Sequence, residues 1–392
     1  MISKMLSEIT SVITKGTTPT SVGCSFSKNG INYIKSESIT SSRTLDKSKY
    51  AFISEETHQK LKRSQIKEND ILFSMAGMFL GKTGIVQADD VPANTNQAVA
   101  IIRIVPEQAN YLYVYYYLNQ KNIVTWINSL SGQSAQPNIN LKQIGEIEIP
   151  LPDRIIQDTI VEMLSAIDSR IELNTAINEN LESQAYLLLE QMLGTPHDDI
   201  CTLSDIANIN PRYTLPKGSE ARYIDMSQLS TTASFPGGWA FRSYNGGMKF
   251  KNKDTIIARI TPCLENGKTA YIDFLKENEI AFGSTEYIVL SPKDNIPPEL
   301  LYCIVRYPEF RTYAKVNMNG SSGRQRVSGE IIGKYEIPSF TQKELSEFGA
   351  VAEPLFKQIT ENSLQNRNLS VLRDALLPKL MKGELDVSEV KI

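Results

Sequence analysis

The chain has 392 residues, of which 41% are hydrophobic and 22% charged, and its formal net charge is −3. This composition is typical of a globular protein with room for two domains, and it excludes a disordered chain. Because no apolar run approaches the ~20 residues of a membrane helix and the N-terminus lacks the apolar core of a secretory signal, we expect a cytoplasmic protein without a membrane partner.

The cysteines and histidines argue against metal and redox chemistry. The four cysteines show no CxxC spacing, and the chain contains only two histidines. We therefore expect no disulfide framework, no metal site and no histidine-based catalytic centre. The slightly acidic balance does not indicate a nucleic-acid-binding protein, so such a role would have to depend on local patches of charge.

The first 150 residues have the pattern of a mixed α/β domain. A glycine-punctuated loop at 76–84 and a polar loop at 129–137 interrupt the regular segments. Apolar and alternating runs predict the strands, and an aromatic-rich run predicts a helix. The predicted strands and the predicted helix are, in order, 31–39, 66–73, 97–104 and 110–119.

A long helix is predicted next, because no glycine or proline occurs between Asp153 and Leu193. Apolar residues and asparagines recur there with the alternating four- and three-residue spacing of a coiled-coil seam. A single amphipathic helix cannot bury its own seam, so this helix needs a partner. The residues expected to pair are Ile160, Leu164, Ile167, Ile171, Asn174, Asn178, Leu181 and Leu188.

The second half of the chain repeats the first. Pro150 matches Pro338, which lies 188 residues later, and the same shift carries the seam and its two asparagines onto the C-terminus. An asparagine in a seam fixes the register of the helices, because its amide is satisfied only against another polar group. The residues expected to pair on the second helix are Leu355, Ile359, Asn362, Asn366, Leu369 and Leu376.

The repeat predicts the domain organisation. The predicted fold is α+β, with two similar α/β domains separated by two long helices that pair as an antiparallel coiled coil, in a pseudo-two-fold tandem repeat. In the alternative interpretation the helices are unrelated, and each packs on its own domain. The predicted bounds are 1–150 for the first domain, 151–195 for the central helix, 196–338 for the second domain and 339–392 for the C-terminal helix.

Two prolines fall inside the second helix. Because proline removes a helix hydrogen bond and clashes with the preceding turn, we expect a short helix to end near Glu353 and a longer one to begin at Pro354. By symmetry, a break near Ala166 would shorten the spacer to about 28 residues, or roughly 42 Å. We expect Pro378 to bend or end the last turns.

The helix regions 150–193 and 337–385, and especially the ending LRDALLPKLMKGEL at 372–385, give the chain a family resemblance. Over essentially its whole length it resembles the specificity subunit of type I restriction–modification enzymes. The resemblance implies that each domain is a target-recognition domain for one half of a split site in double-stranded DNA, and that the helix pair sets the gap. Because the loops of the two domains differ, the site should be asymmetric.

The same resemblance implies a set of partners. It implies two modification subunits bound to the helices, no catalysis by this chain and no cofactor in it, since S-adenosylmethionine would be held by the modification subunits. Restriction or translocase subunits are further candidate partners.

Candidate DNA contacts are side chains that can reach phosphates or base edges. Lys82 and Lys268 occupy equivalent glycine-flanked turns, where a backbone can approach phosphate; ordinary exposed lysines are the alternative. Amides in the loop of the first domain suit adenine, and arginines in the equivalent loop suit guanine or phosphate, although a merely solvated loop is the alternative. These loop residues are Gln133, Gln136, Asn138, Arg324 and Arg326.

Further candidates lie in the first half of the second domain, which is basic and aromatic like many nucleic-acid contact surfaces. These are Arg212, Tyr213, Arg242, Tyr244 and Lys249, with Arg259 as a weaker candidate. Gln97 begins a predicted strand in the first domain, and it could equally well be a hydrogen-bonding group of the framework.

Other functions fit the sequence less well. The segment GKT at 81–83 resembles part of a phosphate-binding loop but lacks the required first glycine, so we do not expect an NTPase. The segment NPRY at 210–213 departs from the NPPY tetrad of amino-methyltransferases at Arg212. The alternative function is a non-catalytic, duplicated scaffold or adaptor that binds protein partners, and the acidic balance would fit that function better.

Overall fold

The computed structural model of the protein describes residues 2–40, 43–130, 138–321 and 323–387. These residues divide into two compact units. Unit 1 comprises Met1–Ser169 and Leu369–Ile392, and unit 2 comprises Arg170–Asn368. Each unit therefore contains one α/β domain together with one segment of each long helix.

The domain of unit 1 consists of short strands and four short α-helices. The strands are β1 (Ile2–Met5), β2 (Thr10–Lys15), β3 (Ile31–Ile34), β4 (Ala51–Ile53), β5 (Gln65–Ile66), β6 (Ile71–Ser74), β7 (Thr83–Ile85), β8 (Ala93–Thr95), β9 (Val99–Ile104) and β10 (Glu148–Leu151). The helices are α1 (Glu55–Lys60), α2 (Tyr111–Leu118), α3 (Lys121–Leu130) and α4 (Leu141–Gly145). Single 3₁₀ turns occupy Leu6–Glu8, Pro19–Val22, Ser36–Ser38, Lys47–Lys49, Lys62–Ser64, Gly77–Phe79 and Ala88–Asp90.

These strands form two four-stranded sheets, with the orders β2-β9-β6-β7 and β4-β3-β8-β5. All four residues of β6 and five of the six in β9 are buried, which explains why these strands are almost continuously apolar. The pair β3–β8 is parallel, and the other pairs are antiparallel. Strand β1 pairs with β10, so the start of the domain is joined to its end.

The domain of unit 2 has the same plan. Its strands are β11 (Ile200–Thr202), β12 (Ala207–Ile209), β13 (Glu220–Ile224), β14 (Ala240–Ser243), β15 (Lys249–Phe250), β16 (Thr255–Ala258), β17 (Thr269–Tyr271), β18 (Ala281–Gly283), β19 (Tyr287–Pro292) and β20 (Glu336–Pro338). Its α-helices are α6 (Leu203–Ile206), α7 (Pro298–Arg306), α8 (Pro308–Val316) and α9 (Gly329–Gly333), and Met226–Gln228 is a 3₁₀ turn.

The strand orders show the repeat directly. The sheets of unit 2 are β12-β19-β16-β17 and β14-β13-β18-β15, so each strand has the place of the strand ten numbers earlier in unit 1. The one parallel pair also recurs, as β13–β18, and β11 pairs with β20 as β1 does with β10. The predicted α+β fold with two similar α/β domains in tandem is therefore confirmed.

The long helices are continuous: α5 runs from Arg154 to Gly194 and α10 from Gln342 to Met381. The expected break near Glu353, the matching break near Ala166 and the shortened spacer are therefore wrong. Pro378 does not end the helix at once either, since α10 continues to Met381.

The surroundings of Pro354 explain why α10 does not break. Pro354 and the exposed Ala350 face solvent, so water can bond the carbonyl that lacks its helical donor. A proline inside a helix costs about 3 kcal/mol. Phe348 and Phe356 are at most 2% exposed on the same helix, and burying each side chain contributes about 1.5–3 kcal/mol. Their burial, together with that of Ala352, favours a continuous helix.

In unit 2 the two helix segments run antiparallel and meet through asparagines. The Asn174 amide donates to the Asn366 side-chain oxygen at 2.8 Å, and the Asn362 amide donates to that of Asn178 at 2.9 Å. A step of four residues forward along α5 is thus a step of four residues back along α10. Towards the domain, Leu189 of α5 is buried in the apolar core of this unit.

In unit 1 the helix segments are again antiparallel, but the polar contact between them is the ion pair of Asp168 with Arg373, at 2.8 Å. Ile160 and Leu164 of α5 share one apolar core with Leu377 and Leu380 of α10. In the paired seam, members such as Ile167, Ile171, Leu181, Leu188, Leu355, Leu369 and Leu376 are partly buried.

Candidate nucleic-acid interface

Three predicted contacts of unit 1 lie at one end of its β2-β9-β6-β7 sheet. Lys82 directly precedes β7, and Gln97 lies two residues before β9. Asn138 forms an isolated bridge with Ala76, two residues after β6. Because β6 ends where β9 and β7 begin, the fold brings these three residues to one edge.

The side chains at this edge differ in how far they are already engaged. Lys82 is half-buried, and its ammonium group lies 5.1 Å from the centroid of the Phe79 ring. Gln97 is exposed, and its side-chain oxygen accepts a hydrogen bond from the Thr18 hydroxyl. Asn138 is exposed. The predicted contacts Gln133 and Gln136 lie outside the described residues.

The equivalent edge of unit 2 is charged. Glu286 lies just before β19 and receives both Nε and Nη2 of Arg326, at 2.7–3.0 Å. This pairing holds the pKa of Glu286 below its usual range. Arg324 is exposed and forms no ion pair with a described residue. Arg324 is therefore available to a ligand, whereas Arg326 is already neutralised by Glu286.

Arg259 lies beside this ion pair. It is half-buried, its backbone N–H donates to the Glu286 carbonyl at 3.0 Å, and its Nε is buried without a hydrogen-bond partner among the described residues. This position suits a role for Arg259 in supporting the loop that carries Arg326 better than a role in contacting a base.

Two predicted contacts of unit 2 are engaged inside the domain. The Lys268 ammonium donates to the Met226 carbonyl at 2.8 Å, so this lysine ties a loop to the turn before β17. The Tyr213 hydroxyl donates to Asp254 at 3.0 Å and lies 3.2 Å from the Ser291 hydroxyl. These contacts give Lys268 and Tyr213 roles in the framework of the domain.

Asp254, which accepts the hydrogen bond from Tyr213, has a strongly raised pKa. It is fully buried, and burial raises its pKa to about 6 although the Lys251 backbone N–H and the Tyr213 hydroxyl bond to it. Its counterpart in unit 1, Asp70, is also fully buried but pairs with Arg103 at 2.7 Å.

The remaining predicted contacts of unit 2 lie on and beside β14, whose four residues are all exposed. The Arg242 guanidinium lies 4.2 Å from the Tyr223 ring, and the Lys249 ammonium lies 5.6 Å from the Tyr244 ring. Arg212 is exposed in the segment before β13. Cations stacked on aromatic faces keep their N–H groups free for an anion.

Sequence reasoning missed a cleft on this surface, which we call the arginine–aromatic cleft. It is a cavity of about 280 Å³ lined by Tyr223, Asp225, Gln228, Trp239, Arg242 and Arg367, together with the backbone at 237–238. Arg367 comes from α10 and lies 4.1 Å from the Trp239 ring. The sequence offered one signal for this cleft, since Trp239 is one of only two tryptophans. No signal in the sequence indicated that Arg367 contacts Trp239, because the two residues lie far apart in the chain.

A second missed residue, Glu182 of α5, anchors the helix to the loop that leads to this cleft. Its carboxylate is 4% exposed and accepts from the backbone N–H and the hydroxyl of Ser234, both at 2.6 Å. Burial raises the pKa of Glu182. In unit 1, Asp168 of α5 anchors the helix instead, since it accepts from Tyr116 at 2.7 Å and from Arg373 of α10 at 2.8 Å.

The described part of the chain has neither a cluster of metal ligands nor a membrane-spanning helix. Among them, no group of three or more histidine, cysteine or acidic side chains is placed to hold a metal ion. Within the same residues, no helix is both long enough and apolar enough to cross a membrane.

Comparison with protein families gives a match in both halves of the chain. The family model described as "Type I restriction modification DNA specificity domain" matches residues 3–183 and again residues 199–344. The two matches follow the two domains; the first also takes in most of α5, whereas the second ends at the start of α10.

Individual relatives agree with the family match. The chain is 25% identical over 338 residues to the specificity subunit of the type I restriction enzyme MjaIX from Methanocaldococcus jannaschii, covering 78% of this chain and 76% of the relative. It is 37% identical over 145 residues to the EcoAI specificity subunit from Escherichia coli, covering 35% of this chain and 24% of that protein.

A solved structure shows that the fold is shared over the whole length. The S subunit of a type I restriction–modification system from M. genitalium aligns with a TM-score of 0.58 at 16% identity, covering 97% of this chain and 95% of that one.

Proposed function

Because this chain belongs to the family of type I restriction–modification DNA specificity proteins, we propose that each of its domains reads one half of an asymmetric, bipartite DNA site. DNA sequence specificity within a type I complex is the function of the chain, and its relatives are named as specificity subunits of such enzymes. The division of that function between the two domains is the substance of the proposal.

The observation that carries the proposal is that two identical sheet frameworks present different side chains at equivalent edges. The edge of unit 1 presents Lys82 and Asn138, whereas that of unit 2 presents Arg324 beside the Arg326–Glu286 pair. Amides suit adenine and arginines suit guanine or phosphate, so two different edges favour two different half-sites. A common framework explains how both edges can meet a duplex in the same manner.

We propose that the long helices set the gap between the half-sites. A helix of 41 residues such as α5 is about 60 Å long, and a coiled coil is stiffer than a flexible linker. The Asn174–Asn366 and Asn178–Asn362 hydrogen bonds support a fixed register of the helices in unit 2. A one-turn slip would keep only one of the two asparagine pairs, because Asn174 would then face Asn362 or Asn178 would face Asn366.

We propose further that the helices bind two modification subunits, which hold S-adenosylmethionine and carry out the methylation, so that this chain is not itself catalytic. Apolar side chains exposed on the helices support docking. In unit 2, Leu173 and Ile177 of α5 are 51% and 37% exposed and lie one turn apart. In unit 1, Val371 and Leu372 of α10 are 63% and 47% exposed. Restriction subunits would join the same complex.

Selection of bound DNA tests the proposal. The chain, assembled with its modification subunits, is incubated with duplexes of random sequence, and the retained duplexes are sequenced. We expect one motif with two unrelated halves and a constant gap. Retention without any shared motif would favour an adaptor that binds proteins. The chain assembled with the modification subunits of an unrelated system is the control.

A further inference from the structure

We propose that the arginine–aromatic cleft of unit 2 holds one phosphodiester group of DNA, so that Arg367 of α10 is itself a DNA-binding residue. The inference rests on the proposed function and extends it, because it gives the spacer helix a direct part in DNA binding. It begins with the charges that line the cleft.

Two guanidinium groups open onto the cleft without a partner. Arg367 stacks on Trp239 at 4.1 Å and Arg242 stacks on Tyr223 at 4.2 Å, and neither forms a hydrogen bond or ion pair with a described residue. A third arginine nearby shows the contrast. Arg222 also lies over Trp239, at 5.4 Å, but Glu279 neutralises it at 2.7 Å.

The net charge of the cleft matches one diester. Asp225 is the single carboxylate in the lining, so two arginines and one carboxylate leave a net charge of +1. The Asp225 carboxylate already accepts from the backbone N–H and hydroxyl of Ser227, at 2.9 and 2.8 Å. A phosphodiester carries one negative charge, and arginine forks bind its oxygens in pairs.

The shape of the cleft also favours a phosphate. Its volume of about 280 Å³ accommodates a phosphate group with the adjoining sugar atoms. A Cβ at Gly238 would lie 3.2 Å from Arg367 Nη1 and 3.1 Å from the Gln228 amide oxygen, so the glycine at this wall leaves room for both side chains. The cleft adjoins β14, where Phe241 is 59% exposed.

Stacking prepares both arginines for this role. An arginine held flat on an aromatic ring loses less side-chain freedom when it binds a ligand, and its N–H edges point away from the ring. A contact to phosphate carries no sequence information, so it should strengthen binding to every duplex alike. The cleft would therefore fix unit 2 on DNA while other side chains read the bases.

The test uses the complex of the full chain with its modification subunits. Binding to the selected duplex and to a scrambled one is measured over a series of salt concentrations for the wild type, Arg367→Gln and Arg242→Gln. We expect each substitution to weaken binding to both duplexes by about tenfold and to lower the slope of log K against log salt by about one. Lys343→Gln, which removes an exposed charge elsewhere on α10, is the matched control and should leave the slope unchanged.

Neutral methylphosphonate linkages, placed one at a time along the selected duplex, locate the phosphate. One position should weaken binding of the wild type and have no effect on Arg367→Gln, because both changes remove the same contact. Additive losses at every position, or wild-type binding by Arg367→Gln, would overturn the inference. Loss on the selected duplex alone would also overturn it, because it would make Arg367 a reader of bases.

A spectroscopic measurement separates contact from misfolding. Trp126→Phe leaves Trp239 as the only indole, and its emission should change when DNA binds. When Arg367→Gln is added to this variant, the change in emission should disappear. An unfolding temperature equal to that of the wild type shows that the double variant is still folded. If the wild-type complex shows no preference for any duplex, the proposed function is wrong. The proposal that the cleft binds a DNA phosphate is then wrong as well.

Discussion

At the scale of single residues, the two buried aspartates show how a repeated framework diverges. Asp70 and Asp254 occupy the same turn before equivalent strands, and each accepts from a backbone N–H three residues earlier. Asp70 gained Arg103 as a directly bonded counter-ion, whereas Asp254 is bonded by the Lys251 backbone N–H and the Tyr213 hydroxyl, and the Lys251 ammonium acts on it only at a distance. Burial raises the pKa of both carboxyls, and that of Asp254, which has no directly bonded cation, rises to about 6.

This difference predicts a pH dependence of stability. Because the folded pKa of Asp254 exceeds the unfolded value of about 3.9, the contribution of this group is fully present below about pH 4 and is lost as pH rises through about 6. Between those values the loss amounts to about 2–3 kcal/mol. Urea unfolding measures this effect. Between pH 5 and pH 7, the free energy of unfolding should decrease less in Asp254→Asn than in the wild type.

The matched control for this experiment is Asp70→Asn. It leaves the Arg103 guanidinium without its partner, so we expect lower stability at pH 7. A wild-type pH profile in Asp254→Asn would show that another group causes the dependence.

The loop arginines of unit 2 give a second prediction at this scale. Arg324→Ala should change the preferred bases of one half-site and leave the unfolding free energy within about 0.5 kcal/mol of the wild type, because Arg324 is exposed. Arg326→Ala should lower that free energy, because it removes the pair with Glu286. Urea unfolding and motif mapping measure the two effects; altered recognition of both half-sites by Arg324→Ala would contradict the assignment.

Sequence reasoning was limited at this scale by geometry. It could identify residue types able to bind DNA, but not that Lys268 and Tyr213 bond inside the domain. Equally, nothing in the pattern could place Arg367 over Trp239, since that contact depends on how a loop and α10 come together.

At the scale of elements, the helices were well predicted from periodicity and poorly from proline. The heptad pattern found both helices and their asparagines, which bond in pairs in unit 2. The proline rule failed because it considers the backbone alone. Around Pro354, the burial of Phe348 and Phe356 outweighs one missing hydrogen bond.

The asparagine pair Asn178–Asn362 predicts a characteristic result in a double-mutant cycle. Asn178→Leu should destabilise the chain by about 1–3 kcal/mol, because the Asn362 amide, which is 6% exposed, loses its acceptor. The double variant with Asn362→Leu should recover that loss, since two leucines pack without a polar group between them. Unfolding in urea measures the cycle.

Asn180→Ala is the control for that cycle, because Asn180 lies on the exposed side of α5 and bonds only to Gln184. It should change the unfolding free energy by less than about 0.5 kcal/mol. Strictly additive effects of the two leucines would mean that the asparagines do not interact in solution.

At the scale of the whole molecule, the internal repeat was the strongest information in the sequence. A shift of 188 residues aligned prolines and asparagines, and the structure shows the same strand order in both domains. The repeat could be recognised because frameworks keep their apolar pattern, whereas the loops between the strands differ in length and chemistry. For that reason the sequence predicted two target-recognition domains but not the bases that either domain recognises.

The most direct test of this account is a map of methylated bases. The chain is produced with its modification subunits in a host that lacks other methylation, and the genomic DNA is sequenced with base modifications retained. The account predicts a single motif with two different halves and one constant gap, and replacement of residues 199–344 by those of a relative should change only one half. A continuous motif, a gap that varies from site to site, or changes in both halves would contradict it.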